Sequence, residues 1–330
     1  MKLATLNDGT RDGQLAVVAR DLKTAHIADG IAPTLQAALD DWAFIAPQLQ
    51  TLYAELNAGR ARRPFDFDPA RCMAPLPRAY AAVETSAWPG HALRLRQAGM
   101  PTLPAPQPDA PDEPVLWRVA GDALLGPQET IALAHEAGGI DVGGGLAIVT
   151  GDVPAGATPD DALGRIRLVL LANAVTLRLL AASELERGAG LLAARPATAF
   201  APVAVTPDEL GDAWRDARVH LALRVACNGR ALGQPDAGAG MGANFAQLAA
   251  HLSGAHGLTA GTIVGAGPVS DRAASGFACI AEQRAQEIID TGEPATPYLR
   301  FGDTVRLEML DGAGKSVFGA IEQTIGRREG

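Results

Sequence analysis

Residues 196–211 read Pro196-Ala197-Thr198-Ala199-Phe200-Ala201-Pro202-Val203-Ala204-Val205-Thr206-Pro207-Asp208-Glu209-Leu210-Gly211. The run closes on a helix-start signal. Thr206 and Glu209 stand at capping-box spacing, Pro207 occupies the first turn, and two acids face the positive end of a helix dipole. The same kind of start stands upstream at Thr158-Pro159-Asp160-Asp161, and Asn244–Leu252 reads as a further short amphipathic helix. Leu146-Ala147-Ile148-Val149 is a strand candidate that ends at Thr150-Gly151-Asp152. Downstream, Thr304–Leu310 and Val317–Thr324 alternate on either side of an Asp311–Lys315 turn, which predicts a hairpin. Strands interspersed with short helices predict an irregular α+β protein rather than a doubly wound sheet.

Outward from this region, the N-terminus reads as a small unit. Leu3–Leu6 and Gln14–Ala19 are alternating runs joined by turn-rich Asn7–Gly13, a second predicted hairpin. Thr34 caps a helical pattern with Leu35, Leu39 and Trp42 on one face; Pro47 is expected to interrupt it, and a second piece, Gln48–Asn57, stops at Gly59. The basic segment Arg60–Pro64 reads as a linker, which places a small N-terminal domain at 1–70 and a larger domain at 71–330. Met100–Pro114 carries six prolines in fifteen residues, a pattern for a surface loop or a lid over a cavity mouth.

Composition bounds the function. The 330 residues are 48% hydrophobic and 20% charged with mean hydropathy +0.08, enough apolar side chain for two folded domains and incompatible with general disorder. A formal charge of −9 and a pI near 5.2 leave no electrostatic footprint for nucleic acid or an anionic membrane. Cys72, Cys227 and Cys279 are too widely spaced for a disulfide framework or a CxxC metal site and read as small buried hydrophobes. With no signal-peptide pattern and no apolar run near membrane-spanning length, a soluble cytoplasmic protein is expected. Neither Gly143-Gly144-Gly145 nor Gly238–Gly242 has dinucleotide or Walker spacing, no GxSxG elbow is present, and the six histidines form no HxxxH or HxH pair. His251 and His256, five apart at a predicted helix end, read as solvated side chains. These tests alone reveal no reaction.

Longer strings do. Pro196–Gly211 resembles the central signature of the fumarylacetoacetate hydrolase family, and Phe301-Gly302-Asp303-Thr304-Val305-Arg306-Leu307-Glu308-Met309 resembles its penultimate strand. Gly139-Ile140-Asp141 and Val149-Thr150-Gly151-Asp152 bracket the stretch that resembles its metal-binding strand, and Met1–Asp40 resembles the small N-terminal domain of bacterial members. The resemblance spans nearly the whole chain. It implies a mixed β-sandwich roll behind a small N-terminal α+β domain, assembled as a homodimer. Members use Mg²⁺, Ca²⁺ or Mn²⁺, held by oxygen ligands, to cleave a carbon–carbon bond in a β-diketo acid; others decarboxylate or isomerise related keto acids.

Against that pattern this sequence departs at the chemistry. Gly143 and Gly145 stand where the family carries Glu-x-Glu, and Ala174, in Leu171-Ala172-Asn173-Ala174, stands where it carries Asp. Glu84, seven residues before the histidine position, keeps the fourth carboxylate. One carboxylate plus waters does not make a competitive site for a hard divalent cation, so no metal cofactor is expected. Trp117-Arg118-Val119-Ala120 replaces the family's Tyr-Gln-Gly-Gly, Arg195 replaces its lysine, and Leu191-Leu192 replaces Phe-Phe. His91, at the catalytic histidine position, and Thr262, at a substrate-contacting threonine, are retained.

These exchanges turn a polar ion site into an apolar cleft, with Trp117 as an aromatic wall and volume vacated by the two glutamates. The expectation is a metal-independent enzyme of C–C hydrolase, lyase, isomerase or cyclase type, in a biosynthetic setting, acting on a bulky apolar keto or enol compound. His91 would shuttle the proton with Glu84 as partner, and Arg118 or Arg195 would hold the oxyanion. Trp117, Thr262, Gly143, Gly145 and Ala174 would complete the substrate site. One alternative is a pseudoenzyme kept as a binding or scaffold protein. Another is an ordinary metal-dependent fumarylacetoacetate or acylpyruvate hydrolase, for which Glu129 and Glu136, seven apart and before the strand, are poor substitutes.

Overall fold

In the computed structural model, which describes residues 1–102, 114–188, 191–271, 273 and 276–328, the apolar runs Gly144–Thr150 and Ile166–Ala174 form the centre of the molecule. They pair antiparallel, with Leu146 opposite Leu171 and Ile148 opposite Val169. Period-two geometry sends Leu146, Ile148, Val169 and Leu171 into one core and Ala147, Val149, Leu168 and Leu170 into another. Both faces are covered, which is why these strands read as continuous hydrophobic runs.

Among the described residues the central sheet has eleven strands. From one edge it runs Phe65–Asp66, Thr24–Ile27, Gln14–Val18, Lys2–Leu6, Ala204–Val205 and then the two central strands. It continues through Ile263–Pro268 and Ala82–Thr85 to Leu116–Arg118, while Thr198–Phe200 pairs off the path against Ile166–Ala174. A five-stranded sheet, Arg230–Gly233, Leu223–Cys227, Thr304–Met309, Ile321–Arg327 and Ile131–Leu133, brings Leu223, Val225, Leu307 and Ile321 into the first core. Helices Leu35–Asp40 and Trp42–Asn57 close the other face with Leu35, Leu39, Leu49 and Tyr53. The class is α+β, as expected. Lys2–Leu6 pairs with Ala204–Val205, so the sheet runs unbroken from the N-terminal unit into the rest of the chain.

Local signals succeed where their partners are near in sequence. The N-terminal hairpin forms as Lys2–Leu6 and Gln14–Val18. Thr34 caps its helix by accepting from the Ala37 N–H, and capping boxes close at Thr158–Asp161 and Asn244–Gln247. Pro47 does not interrupt its helix: the break falls earlier, at non-helical Asp41, and Pro47 sits inside Trp42–Asn57, in its second turn. Thr206 makes no side-chain cap. Glu209 is drawn to Arg20 Nε at 3.0 Å, and Pro207–Ala213 folds as 3-10 turns kinked at Gly211, whose φ is 53°. The last hairpin strand is Ile321–Arg327, later than expected, because Val317 and Phe318 turn into the core before Gly319, at φ 76°. Residues 103–113 of the proline-rich stretch, and with them the lid reading, lie outside the described residues. No helix among the described residues is long and apolar enough to cross a membrane.

Candidate active site

Helices Pro89–Gln97, Arg178–Glu186 and Ile280–Thr291 wall a cavity of about 230 Å³. Its sides are apolar, from Leu95, Ala181, Leu185, Leu191, Ala281 and Ile288, and its ionisable groups are His91, Arg178, Arg195, Arg284 and Tyr298. The volume lies just below the roughly 300–1,000 Å³ typical of small-molecule sites.

Asp141 organises one end. Its buried carboxylate accepts from the Ile280 and Ala281 N–H groups at 2.6 and 3.1 Å, capping a helix that Cys279 does not cap with its own side chain. The same carboxylate takes Arg178 Nε at 2.7 Å, which anchors that guanidinium at the cavity wall. The helix so fixed carries Glu282 in its first turn, fully buried and pointed at Pro89–Gln97. On that helix, proline opens the first turn, and His91 and Arg94, three apart, share one face.

The result is a hydrogen-bonded dyad. His91 Nδ1 lies 2.9 Å from Glu282 Oε2, while Glu282 Oε1 accepts from Ser270 Oγ and Arg94 Nη1, each at 2.7 Å. Burial alone would push the Glu282 carboxyl up; His91, Ser270 and Arg94 outweigh it and hold the group below the usual carboxylate range. With Glu282 ionised, Nδ1 is the N–H donor to it, and in the neutral imidazole Nε2 is then the lone-pair nitrogen, on a side chain 15% exposed at the cavity. The partner of His91 is therefore Glu282 and not Glu84. Glu84 sits on Ala82–Thr85 opposite Trp117 and Gly265, and it turns toward Arg195 instead.

Arg195 stands between two of the positions that sequence resemblance made metal ligands. Its Nη1 donates to the Ala174 carbonyl at 2.9 Å, its Nη2 lies 3.5 Å from Glu84 Oε2, and its guanidinium carbon is 5.9 Å from the centre of the Trp117 ring. Burial pushes the Glu84 carboxyl up, against the pull of Arg195 and the Gly267 N–H, and burial likewise pulls the Arg195 guanidinium down. Gly143 and Gly145 have vacated no volume, contrary to expectation. A Cβ at Gly143 would overlap the Ala174 carbonyl oxygen, and one at Gly145 would come 2.7 Å from the Gly267 oxygen. Backbone has closed over both glycines, and Gly143, Gly145 and Ala174 are buried without lining the cavity. The donor set left, one carboxylate facing a guanidinium, does not fit a hard divalent cation.

Two further expected residues are elsewhere. Arg118 follows Trp117 on a strand, so it points to the opposite face and lines a separate groove with Tyr80, Leu252 and His256. Thr262 lines that groove too, its hydroxyl donating 2.8 Å to the Thr259 carbonyl in a turn. Trp117 borders both spaces, and among the described residues its buried indole N–H has no hydrogen-bond partner. Sequence reasoning named His91, Trp117 and Arg195 at this cavity but passed over Glu282, Arg94, Ser270 and Arg178. An acid in the first turn of the otherwise apolar start Ile280-Ala281-Glu282 was the available signal for the first of these.

A base held by a buried carboxylate and three cavity-lining guanidiniums, in apolar walls, can move a proton beside an anionic oxygen. Comparison with known proteins agrees with the architecture. The family model described as Fumarylacetoacetate (FAA) hydrolase C-terminal matches residues 85–326, and that described as Fumarylacetoacetase N-terminal domain 2 matches residues 1–78. No curated protein matches the sequence. A fumarylacetoacetate hydrolase from psychrophilic Exiguobacterium antarcticum is 18% identical at TM-score 0.66, over 99% of this chain and 100% of that one. A 2-hydroxyhepta-2,4-diene-1,7-dioate isomerase from Mycobacterium marinum is 16% identical at TM-score 0.60, over 100% of both chains. A maleylpyruvate hydrolase from Sphingobium sp. SYK-6, in complex with manganese(II) and pyruvate, is 14% identical at TM-score 0.64, again over 100% of both. At these identities the likeness shows the fold.

Proposed function

The chain belongs to the fumarylacetoacetate hydrolase family, and from that premise we propose that it is an enzyme working without a divalent metal on a compact, apolar keto or enol acid. The observation that carries this is the His91–Glu282 dyad, 2.9 Å apart and opening on an apolar cavity that also presents Arg178, Arg195 and Arg284. His91 Nε2 accepts a proton, either from a carbon flanked by carbonyls or from water that adds to one of them. Glu282 stabilises the imidazolium so formed, since it already faces Nδ1. Arg195 and Arg178 hold the carboxylate or developing enolate oxygen, the charge that a metal carries in a cation-dependent site. Where water has added and the C–C bond has broken, the proton returns from His91 to the departing carbanion carbon and the outcome is C–C hydrolysis. Where His91 took its proton from carbon, return of that proton to the far end of the conjugated enolate gives isomerisation.

The test is a panel of acylpyruvates and related keto acids with alkyl tails of graded length, followed by loss of enol absorbance in buffer containing EDTA. Turnover in EDTA by the wild type, lost at least 100-fold in a folded His91→Ala variant, supports the reading. Turnover only on adding Mg²⁺ or Ca²⁺ overturns metal independence. Thermal stabilisation by the panel with no turnover makes the protein a binder of such acids and overturns the enzyme reading.

A further inference from the structure

A thiol closes on the dyad from the start of the same helix. Cys279 Sγ lies 3.6 Å from Glu282 Oε2 and 3.9 Å from His91 Nδ1, and those two atoms are 2.9 Å apart. The three candidate donors fall within 4.8 Å of one another. Tetrahedral zinc, with sulfur at about 2.3 Å and nitrogen or oxygen at about 2.0–2.2 Å, sets donor–donor edges of roughly 3.4–3.6 Å. The observed separations bracket that range, so an ion enters with small side-chain shifts.

The surroundings are those of a built site. Arg94 and Ser270 hold Glu282 through Oε1 and leave Oε2 as the ligating oxygen, oriented from behind. Asp141 pins the helix N-terminus that positions Cys279. His91 lines the cavity, and Cys279 and Glu282 are fully buried behind it. One thiolate, one imidazole and one carboxylate select a borderline-soft ion such as Zn²⁺ over Mg²⁺ or Ca²⁺. Thiolate and carboxylate bring two negative charges to a divalent ion, and Arg94, 2.7 Å from Glu282 Oε1, leaves one positive charge beside them.

We propose that His91, Cys279 and Glu282 form a zinc-binding site whose occupation silences the dyad. Bonds from zinc to Cys279 Sγ, His91 Nδ1 and Glu282 Oε2 form as the thiol proton leaves to solvent and the imidazole proton passes, through solvent, from Nδ1 to Nε2, with no change of oxidation state. A neutral imidazole bound through Nδ1 carries its proton on Nε2, so the nitrogen that would act as base is no longer available. The inhibitory consequence rests on the dyad being catalytic; the metal binding does not.

Metal-stripped full-length protein is titrated with Co²⁺ under reducing conditions, then with Zn²⁺. The expected result is a thiolate-to-cobalt charge-transfer band and intense tetrahedral d–d bands saturating at one ion per chain, both discharged by Zn²⁺. Cys279→Ser loses the charge-transfer band and binds at least tenfold more weakly, with its thermal unfolding recorded to confirm that it is folded. No charge-transfer band in the wild type, or an undiminished band in Cys279→Ser, overturns the site. Zn²⁺ should also abolish wild-type turnover in metal-free buffer, and Cys279→Ser should need at least tenfold more of it. Turnover untouched at saturating Zn²⁺ overturns the silencing. A wild type with the cobalt signature but no turnover on any keto acid supports the site while contradicting the enzyme reading.

Discussion

Arg195 Nη2 stands 3.5 Å from Glu84 Oε2, both side chains buried, with Arg195 Nη1 on the Ala174 carbonyl at 2.9 Å. The pair is looser than a charge-assisted hydrogen bond of 2.7–2.9 Å. Among the described residues, neither Glu84 Oε2 nor Arg195 Nε has a hydrogen-bond partner. A guanidinium thus lies between two positions where the family's pattern has metal ligands, with donor capacity to spare for a ligand oxygen.

Removing one member of this pair should hurt more than removing both charges. Arg195→Met strands a buried carboxylate and is expected to cost roughly 3–5 kcal/mol, whereas Glu84→Gln together with Arg195→Met should recover part of that loss. Urea unfolding of the two single variants and the double variant measures the coupling directly. Simple additivity would mean that the two side chains do not interact in the folded protein.

Hard cations should leave the protein unmoved. An ion bound at 100 times its Kd stabilises by about 2.7 kcal/mol, a shift of several degrees at most in a chain of this size but readily measured. Thermal unfolding in Mg²⁺ and Ca²⁺ at matched ionic strength is expected to show no ion-specific rise. A clear rise would mean that carboxylates besides Glu84 are recruited to bind the ion.

The legible part of this protein is the part whose causes are local. Leu146–Val149 declared a strand because every residue in it is buried on one face or the other, and Thr158 and Asn244 declared caps because their partners stand three residues on. Thr206–Glu209 failed on the same reasoning because Arg20, 189 residues away, takes the glutamate. The site divides in the same way. His91, Trp117 and Arg195 were found through strings that carry a family pattern, but Glu282 acquires its meaning from His91 and from Arg94, 188 residues distant. Exchange of glutamate for glycine was visible at 143 and 145; that neighbouring carbonyls would close over both was not, because it depends on where Ala174 and Gly267 settle.

Acid should loosen the protein through Glu282. Its carboxyl sits below the ordinary 4.5 in the folded state, burial notwithstanding, because His91, Ser270 and Arg94 favour the ionised form. The unfolded chain therefore binds the proton first, and the stability this group contributes is present above about pH 4.5 and lost as pH falls through the lower folded value. Glu282→Gln removes that linkage. Unfolding free energies between pH 3 and 6 should show the gap between wild type and Glu282→Gln narrowing as the solution is acidified. A gap that stays constant across that range would place the carboxyl at its ordinary value.

Reinstating the family's acids should fail to restore a metal site. Gly143→Glu, Gly145→Glu and Ala174→Asp together put back the missing carboxylates on paper. Yet a Cβ at Gly143 overlaps the Ala174 carbonyl, and one at Gly145 meets the Gly267 oxygen at 2.7 Å. Both obstacles are main chain, which yields far less readily than the end of a long side chain, so each substitution is expected to cost on the order of 1–3 kcal/mol. The Ala174 carbonyl is moreover tied to Arg195, whose fixed positive charge would repel an arriving cation. The triple variant should accordingly unfold at lower temperature than the wild type and still ignore Mg²⁺. A fourth change, Arg195→Lys, tests which obstacle dominates: the shorter, more mobile cation frees the Ala174 carbonyl while leaving the chain otherwise intact. An Mg²⁺-specific rise in the quadruple variant alone would identify the guanidinium as the decisive barrier. A rise already in the triple variant would show that the backbone relaxes around restored carboxylates and that its closure over the glycines does not by itself exclude a cation.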